Sequence, residues 1–158
     1  MAIEREARVQ AINLFRTLVL AAQREGNRLL GEGLKPLGLT PAQAEVLAVL
    51  AAAQPVSLIE LGERLVCEAG SPSRLVAGLT QAGLVARRSD PQDARKALFS
   101  LTPRGEALGA RAAAVEWEFC EELAGLLEGM PVDAAAHTLW RLVAHLPAGK
   151  ALRRRLTE

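Results

Sequence analysis

Serine or threonine directly precedes proline at three places in this chain, and each pair opens a stretch with helical spacing of its apolar residues. The pairs are Thr40-Pro41, Ser71-Pro72 and Thr102-Pro103. A hydroxyl oxygen at the N-cap accepts a hydrogen bond from a backbone N–H of the first turn, and proline suits the first helical position. A fourth start, Ser57 followed by Glu60, has the spacing of a capping box. These signals predict successive helices from residue 40 to about residue 128.

Further helices are predicted outside these segments. From about residue 2 to residue 30, apolar residues recur at spacings of three and four, as in one long amphipathic helix. Glycine and proline residues between 31 and 38 are expected to end it. A last helix from about residue 132 is expected to end at Pro147 and Gly149, before a basic tail. The apolar face of the first helix is wider than one small core needs, which indicates a partner chain.

A change of period marks the middle of the chain. Residues 84–88 and 96–101 are strand candidates, joined by the turn-forming segment SDPQDAR. The sequence therefore predicts a mainly α protein with one small β-hairpin. We expect a winged helix-turn-helix lobe over residues 37–105, and a helical dimerisation region made of residues 1–36 and 106–158.

The order of helix, helix, turn, helix, hairpin and helix is the layout of a winged helix-turn-helix, whose second helix enters the DNA major groove. Net charge is only +1, so a case for nucleic acid must come from where the basic residues lie. Ser71, Ser73 and Arg74 begin the second helix, where they would meet base edges and phosphates. The hairpin carries four basic residues as a local patch, namely Arg87, Arg88, Arg95 and Lys96. Arg95 at the tip is expected to enter a minor groove, and Arg87 and Arg88 to contact phosphates.

The segments LTPAQAEVLAVL, SLIELGERL and SPSRLVAGLTQAGLVARRSDPQDARKALFSLTPRG resemble the core of the MarR family of transcriptional regulators. The resemblance covers residues 39–105 closely and the outer helices more loosely. Its most specific element is DPQDAR followed by a strand and LTPRG. It implies that Asp93 braces the wing and that Arg95 enters the minor groove. The chain departs from many relatives at Ala94, where a second basic residue is common, and in the late, sharp start at Ser71.

The same resemblance implies a triangular homodimer, paired through its N- and C-terminal helices, that binds double-stranded DNA at a pseudo-palindromic operator. It also implies that the regulator acts as a repressor and that a small apolar or aromatic-acid effector binds between the dimer helices and the DNA-binding lobe. Arg16 and Arg24 on the first helix and Trp117 on the helix after the wing are the candidate ligand-binding residues.

Several other classes of protein receive little support. Metal binding is not expected, because Cys67, Cys120, His137 and His145 have no compact ligand spacing. No phosphate loop or nucleophile elbow indicates an enzyme, and we expect no cofactor. The early charges oppose a signal peptide, and no apolar run is long enough to span a membrane, so a cytoplasmic protein is expected.

Two alternatives stay open from the sequence. The chain could be a helical interaction module that uses the hairpin to contact another protein. It could also be a regulator that senses oxidants through a cysteine. Cys67 falls in the predicted turn, where a small buried residue is the simpler interpretation, and we expect neither cysteine to be activated.

Overall fold

The computed structural model describes residues 1–66, 71–93 and 95–157, with Ala2 described by its backbone alone. It is mainly helical and contains one small antiparallel sheet. The helices are α1 (Ala2–Leu34), α2 (Pro41–Ala53), α3 (Leu58–Gly62), α4 (Pro72–Gln81), α5 (Pro103–Leu126), α6 (Val132–Val143) and α7 (Pro147–Leu156). A short 3₁₀ helix, Lys35–Leu37, follows α1. The strands are β1 (Val56–Ser57), β2 (Val85–Ser89) and β3 (Ala97–Leu101).

The predicted helix starts are confirmed. The side-chain oxygens of Thr40, Ser57 and Thr102 each accept a hydrogen bond from the backbone N–H three residues later, at 3.2, 3.3 and 3.0 Å respectively. Ser71 is the N-cap residue of α4, but its hydroxyl makes no capping bond in the described part of the chain. Its Oγ lies 2.9 Å from Oγ of Ser73 instead. The first backbone N–H groups of α4 are therefore not capped by Ser71.

The sheet has three strands, in the order β1-β3-β2, so the prediction of a lone hairpin was incomplete. β2 and β3 form the predicted hairpin, and Val56 and Ser57 of β1 pair with Phe99 and Leu98 on the other edge of β3. Two residues are too few to show the alternation by which strands are recognised in a sequence. β1 exists because β3 offers it an unpaired edge.

Two predicted helix boundaries were wrong. The first helix continues through Gly31 and Gly33 to Leu34, which is almost fully buried. A glycine inside a helix costs about 1 kcal/mol, and burial of Leu34 in the core offsets that cost. The chain turns only at Gly38, whose φ of 69° suits glycine. In contrast, α3 ends at Gly62, three residues before the predicted end at Leu65.

The last helix was predicted to end at Pro147 and Gly149, but the basic tail that follows is helical as well. The preceding helix, α6, ends earlier than predicted, at Val143, and Pro147 occupies the first position of α7. Ala151 in the middle of α7 is buried. The tail is therefore a packed element of the fold.

The hydrophobic core lies in the lobe formed by α2, α3, α4 and the sheet, closed by the end of α1 and the start of α5. Its most buried side chains are Leu34, Val46, Leu47, Leu50, Leu61 and Leu79. Most of α1 and α6 lies outside this core, with many large apolar side chains exposed. Within the described residues no single helix could cross a membrane, although the bent pair of α1 and α2 together meets the length and composition criteria.

Candidate nucleic-acid interface

Helix α4 is anchored on one side and exposed on the other. Val76 and Leu79 are buried in the core, whereas Ser73 and Arg74 are exposed. At the end of the helix, Nη1 of Arg104 donates a hydrogen bond to the carbonyl oxygen of Ala82 at 3.1 Å. Arg104 thus holds the end of α4.

The exposed face of α4 is longer than the sequence analysis proposed. Ala77 and Gln81 follow Ser73 at intervals of four residues, so they continue the same face of the helix, and both are exposed. The residues predicted from sequence, which end at Arg74, all lie in the first turn of α4. Helical spacing counted from Ser73 could have identified both residues.

A groove of about 470 Å³ separates this face of α4 from the sheet. We call it the α4–wing groove; it is lined by Leu58, Ser73, Val76, Ala77, Thr80, Gln81, Arg87 and Phe99. Its walls are mostly apolar, and Arg87 supplies a cation on the wing side. The structure thus brings Ser73 and Arg87 to one groove from separate elements.

A second groove, of about 760 Å³, lies between the start of α3 and the wing. We call it the α3–wing groove; Arg87, Arg95 and Lys96 line it, together with Ile59, Glu60 and Asp90. Because Arg87 borders both grooves, the exposed face of α4 and the basic side of the wing form one continuous surface.

Glu60 places a negative charge in the α3–wing groove. The backbone N–H of Ser57 donates to its carboxylate at 2.8 Å, and this hydrogen bond above all holds the pKa of Glu60 below its usual range. Arg64 and Lys96 lower the pKa of Glu60 further by their charge. The carboxylate is therefore ionised at neutral pH and partly balances the wing cations.

The tip of the wing is ordered by Asp93. Its Oδ1 accepts hydrogen bonds from the backbone N–H and the Nε of Arg95, at 3.1 and 3.3 Å. Its backbone carbonyl accepts from the N–H of Lys96 at 2.8 Å. The Arg95 side chain is 93% exposed. Ala94, where the sequence departs from many relatives, lies outside the described residues.

Arg88 does not join the other basic residues of the wing. Arg87 is opposite Phe99 and Arg88 is opposite Leu98 in the ladder between β2 and β3. Successive side chains of a strand point to opposite faces, so Arg88 lies on the face of the hairpin away from Arg87. It borders neither groove.

The candidate ligand-binding residues are exposed and line no described cavity. Arg16 and Arg24 are exposed on α1, and Trp117 on α5 is 68% exposed. A cavity of about 310 Å³ lies among α1, α2, α5 and α7, and none of these three residues lines it. Its polar walls include Gln23, Asn27, Glu45, Glu116 and Arg155.

The structure describes one of the two cysteines. Cys120 is a free thiol on the exposed side of α5. Cys67 lies outside the described residues. No cluster of three or more potential metal ligands occurs in the described part of the chain.

Comparison with known proteins agrees with this geometry. Residues 37–96 match the model of the MarR family. The multiple antibiotic resistance protein MarR of Escherichia coli K12 is 33% identical over 144 residues, which cover 87% of this chain and 94% of that protein. An uncharacterized HTH-type transcriptional regulator of Bacillus cereus is 36% identical over 56% of this chain and 58% of its own length.

Solved structures show the same fold bound to DNA. A mutant of E. coli MarR complexed with operator DNA superposes with a TM-score of 0.75 at 30% identity, over 85% of this chain and 96% of that one. The transcriptional repressor CouR, bound to a 23-mer DNA duplex, has a TM-score of 0.71 at 27% identity, over 79% and 89% of the two chains. The winged helix-turn-helix fold expected from the sequence is confirmed. This chain belongs to the MarR family of DNA-binding transcriptional regulators.

Proposed function

We propose that this chain is a homodimeric, sequence-specific repressor of transcription that binds a pseudo-palindromic operator in the cytoplasm. The observation that carries the proposal is the continuous surface formed by α4, the α4–wing groove and the basic side of the wing. An exposed helix face beside a basic hairpin suits a major groove flanked by phosphates and a minor groove. The E. coli MarR complex with operator DNA and the CouR complex with a duplex support this use of the fold.

Each basic residue has its own proposed task. Arg74, with Ser71 and Ser73, enters the major groove, where a guanidinium can bind the edge of a guanine through two hydrogen bonds. Arg87 and Lys96 contact phosphates beside α4, and Arg88 contacts phosphates on the outer side of the wing. Arg95 enters the minor groove, where narrow A·T tracts concentrate negative potential.

A second copy of the chain is the proposed cover for α1 and α6. Apolar side chains exposed on these helices include Leu14, Leu18, Val19, Leu139 and Leu142. Exposed apolar surface of this extent marks an interface. A two-fold dimer presents two copies of α4 to half-sites separated by about one turn of DNA, which accounts for a pseudo-palindromic operator.

Release by a small apolar or aromatic ligand is also part of the proposal. The cavity among α1, α2, α5 and α7 has a volume of about 310 Å³, within the range of small-molecule sites. Arg16, Arg24 and Trp117 are proposed to contribute only where the partner chain encloses them. A ligand shifts DNA binding only by its differential affinity for the two forms of the dimer.

A gel shift with the DNA upstream of the chain's own gene tests the proposal, with a salt titration of the binding constant. We expect affinity to fall steeply with salt because several phosphates are contacted. Arg74→Ala should change the preference among operator variants, and Arg111→Ala, at an exposed site on α5, is the matched control. Binding that is insensitive to both salt and Arg74→Ala would contradict the docking.

The two alternatives give different results. An interaction module would bind a protein through the hairpin and would show no operator preference. A redox regulator would lose its oxidant response in a variant carrying both Cys67→Ser and Cys120→Ser. We expect that variant to respond to peroxide as the wild type does, and a clearly depressed thiol pKa would contradict this.

A further inference from the structure

Glu45 on α2 connects two parts of the chain that are distant in sequence. Its Oε1 accepts a hydrogen bond from the backbone N–H of Val66 at 2.8 Å. The same oxygen accepts from Nη1 of Arg155 on α7, also at 2.8 Å. The Glu45 side chain is 13% exposed and that of Arg155 is 33% exposed. This pair is therefore better shielded from water than a surface ion pair.

Val66 lies between the two helices of the helix-turn-helix, so its contact with Glu45 bears on the connection to α4. Val66 follows α3, and α4 begins six residues later at Pro72. In a helix-turn-helix, the second helix enters the major groove, and the connection that begins at Val66 leads to that helix. An acceptor on α2 that binds the N–H of Val66 ties this residue, which begins the connection, to the core of the lobe.

Helix α7 adds a second attachment nearby. Arg154 donates to the backbone carbonyl of Glu63 at 3.2 Å and forms an ion pair with its carboxylate at 3.3 Å. Successive arginines thus bind the end of α3 and the Glu45 that holds Val66. The third arginine, Arg153, lies over the ring of Trp140 at 5.6 Å and takes no part in this attachment.

We propose that Glu45 is a positioning residue for DNA binding: it holds the backbone N–H of Val66 between α3 and α4, and Arg155 on α7 holds Glu45. Neither residue contacts DNA in this arrangement. The inference rests on the proposed function, in which α4 enters the major groove. The C-terminal helix thereby connects the dimerisation region to the DNA-contacting surface.

Four variants and one control variant of the full-length protein test this inference with the operator duplex. Glu45→Ala removes the acceptor for the Val66 N–H and for Arg155, and we expect operator binding about tenfold weaker. Glu45→Gln keeps an acceptor for Val66 but loses the charge, and Arg155→Met frees Glu45 from α7; each should weaken binding about threefold. Glu45→Gln and Arg155→Met weaken the same interaction, the ion pair between Glu45 and Arg155. A variant that carries both changes should therefore bind the operator no more weakly than either single variant. Arg153→Met is the matched control and should bind as wild type.

Two further measurements separate positioning from other roles. The salt dependence of binding should keep its slope in Arg155→Met, whereas loss of a phosphate contact would reduce the slope by about one. Hydrogen exchange at the Val66 amide should be faster in Glu45→Ala than in the wild type. It should be slower in Glu45→Gln than in Glu45→Ala, because the glutamine keeps an acceptor for this N–H. Melting temperatures identify any variant that fails to fold, and Arg155→Met remains informative because its side chain lies outside the core.

The outcomes divide cleanly. If Arg74→Ala weakens operator binding and the Glu45 and Arg155 variants do not, the positioning role is wrong and the proposed function stands. A reduced salt slope in Arg155→Met would also overturn it, because Arg155 would then contact phosphate. If neither Arg74→Ala nor Arg95→Ala affects binding, both the proposed function and the positioning role fail.

Discussion

The carboxylate of Asp93 accepts two hydrogen bonds from Arg95, one from its backbone N–H at 3.1 Å and one from its guanidinium at 3.3 Å. The two residues are separated by one position, so the contact shapes the wing tip itself. Arg95 remains 93% exposed, and its charge is available to a partner. An arginine restrained in this way loses less side-chain entropy when it enters a groove than a freely rotating one.

The wing predicts different effects for these two residues. Arg95→Ala should weaken operator binding about tenfold, most strongly on operators with A·T-rich flanks, because it removes the minor-groove cation. Asp93→Ala should weaken binding less, because the cation remains but loses its restraint. Fluorescence anisotropy with matched A·T-rich and G·C-rich flanks measures both effects. Equal affinity of wild type and Arg95→Ala on both duplexes would contradict the minor-groove assignment.

The dimer interface predicts the result of placing a charge on α1. Leu18 is 58% exposed in the single chain. If a second chain covers it, Leu18→Glu buries an unpaired carboxylate, at a cost of several kcal/mol. Sedimentation at micromolar concentration should then show a folded monomer. Ile59→Glu, at an exposed apolar position on α3, is the control and should leave the dimer intact. A stable Leu18→Glu dimer would place the interface elsewhere.

Gly105 in the first turn of α5 should tolerate no side chain. A Cβ atom there would overlap the backbone carbonyl oxygen of Leu84, which also accepts a hydrogen bond from Thr102 N–H at 3.0 Å. Gly105→Ala should lower the free energy of unfolding by about 2–3 kcal/mol, since backbone must move. Gly109→Ala is the matched control in the same helix, where a Cβ would lie 3.6 Å from Cβ of Leu47. It should raise stability by up to about 1 kcal/mol through helix propensity.

Urea denaturation at fixed pH measures both glycine variants. A Gly105→Ala protein as stable as the wild type would show that the approach of α5 to Leu84 can relax without cost.

Thr80 on α4 presents a buried hydroxyl oxygen with no hydrogen-bond partner in the described part of the chain. An unsatisfied buried hydroxyl lowers stability, and valine has nearly the same shape. Thr80→Val should therefore raise the free energy of unfolding by about 1 kcal/mol. Thermal unfolding measures this change, with Thr80→Ser as the variant that keeps the hydroxyl. A destabilised Thr80→Val protein would indicate that the hydroxyl binds a water molecule.

The capping box at α3 predicts a pH dependence of stability. Hydrogen bonds from Ser57 hold the pKa of Glu60 below that of the unfolded chain. Its contribution is therefore fully present above the unfolded carboxyl pKa, and it is lost as pH falls through the lower folded value. Glu60→Gln should be less stable than wild type at pH 7, and the difference should shrink towards pH 3. A difference that stays constant over this range would exclude an ionised cap.

Local chemistry made much of the DNA-binding lobe predictable. Thr40, Ser57 and Thr102 cap helices through oxygens that bind N–H groups three residues away. Such bonds form within one turn, so the sequence is sufficient to predict them. The hairpin could also be predicted from the sequence, because the alternation of apolar and polar residues and the turn-forming residues are local features of a few positions. The role of Asp93 as the brace of the wing was instead implied by the resemblance to the MarR family, and its bonds to Arg95 two residues later fit that role.

Local sequence patterns did not predict on which face of the hairpin each basic residue of the wing lies. Both Arg87 and Arg88 were predicted to serve the same surface, and pairing with β3 places them on opposite faces of the hairpin. Strand register decides which of two adjacent side chains faces α4. That register depends on burial of Val85, Phe99 and Leu101 against the core. The core is built from distant segments, so the sequence of the hairpin alone does not reveal the register.

Tertiary packing also decided the boundaries and the long-range contacts. Helix α1 continues through two glycines because Leu34 is buried in the core. Val56 and Ser57 form a strand because they pair with the free edge of β3. The bond between Glu45 and Arg155 joins residues 110 positions apart. The sequence by itself determined where helices start and where the wing turns, because those features depend on hydrogen bonds between near neighbours. Only the tertiary structure decided which faces meet, because that depends on the apolar area buried between distant segments.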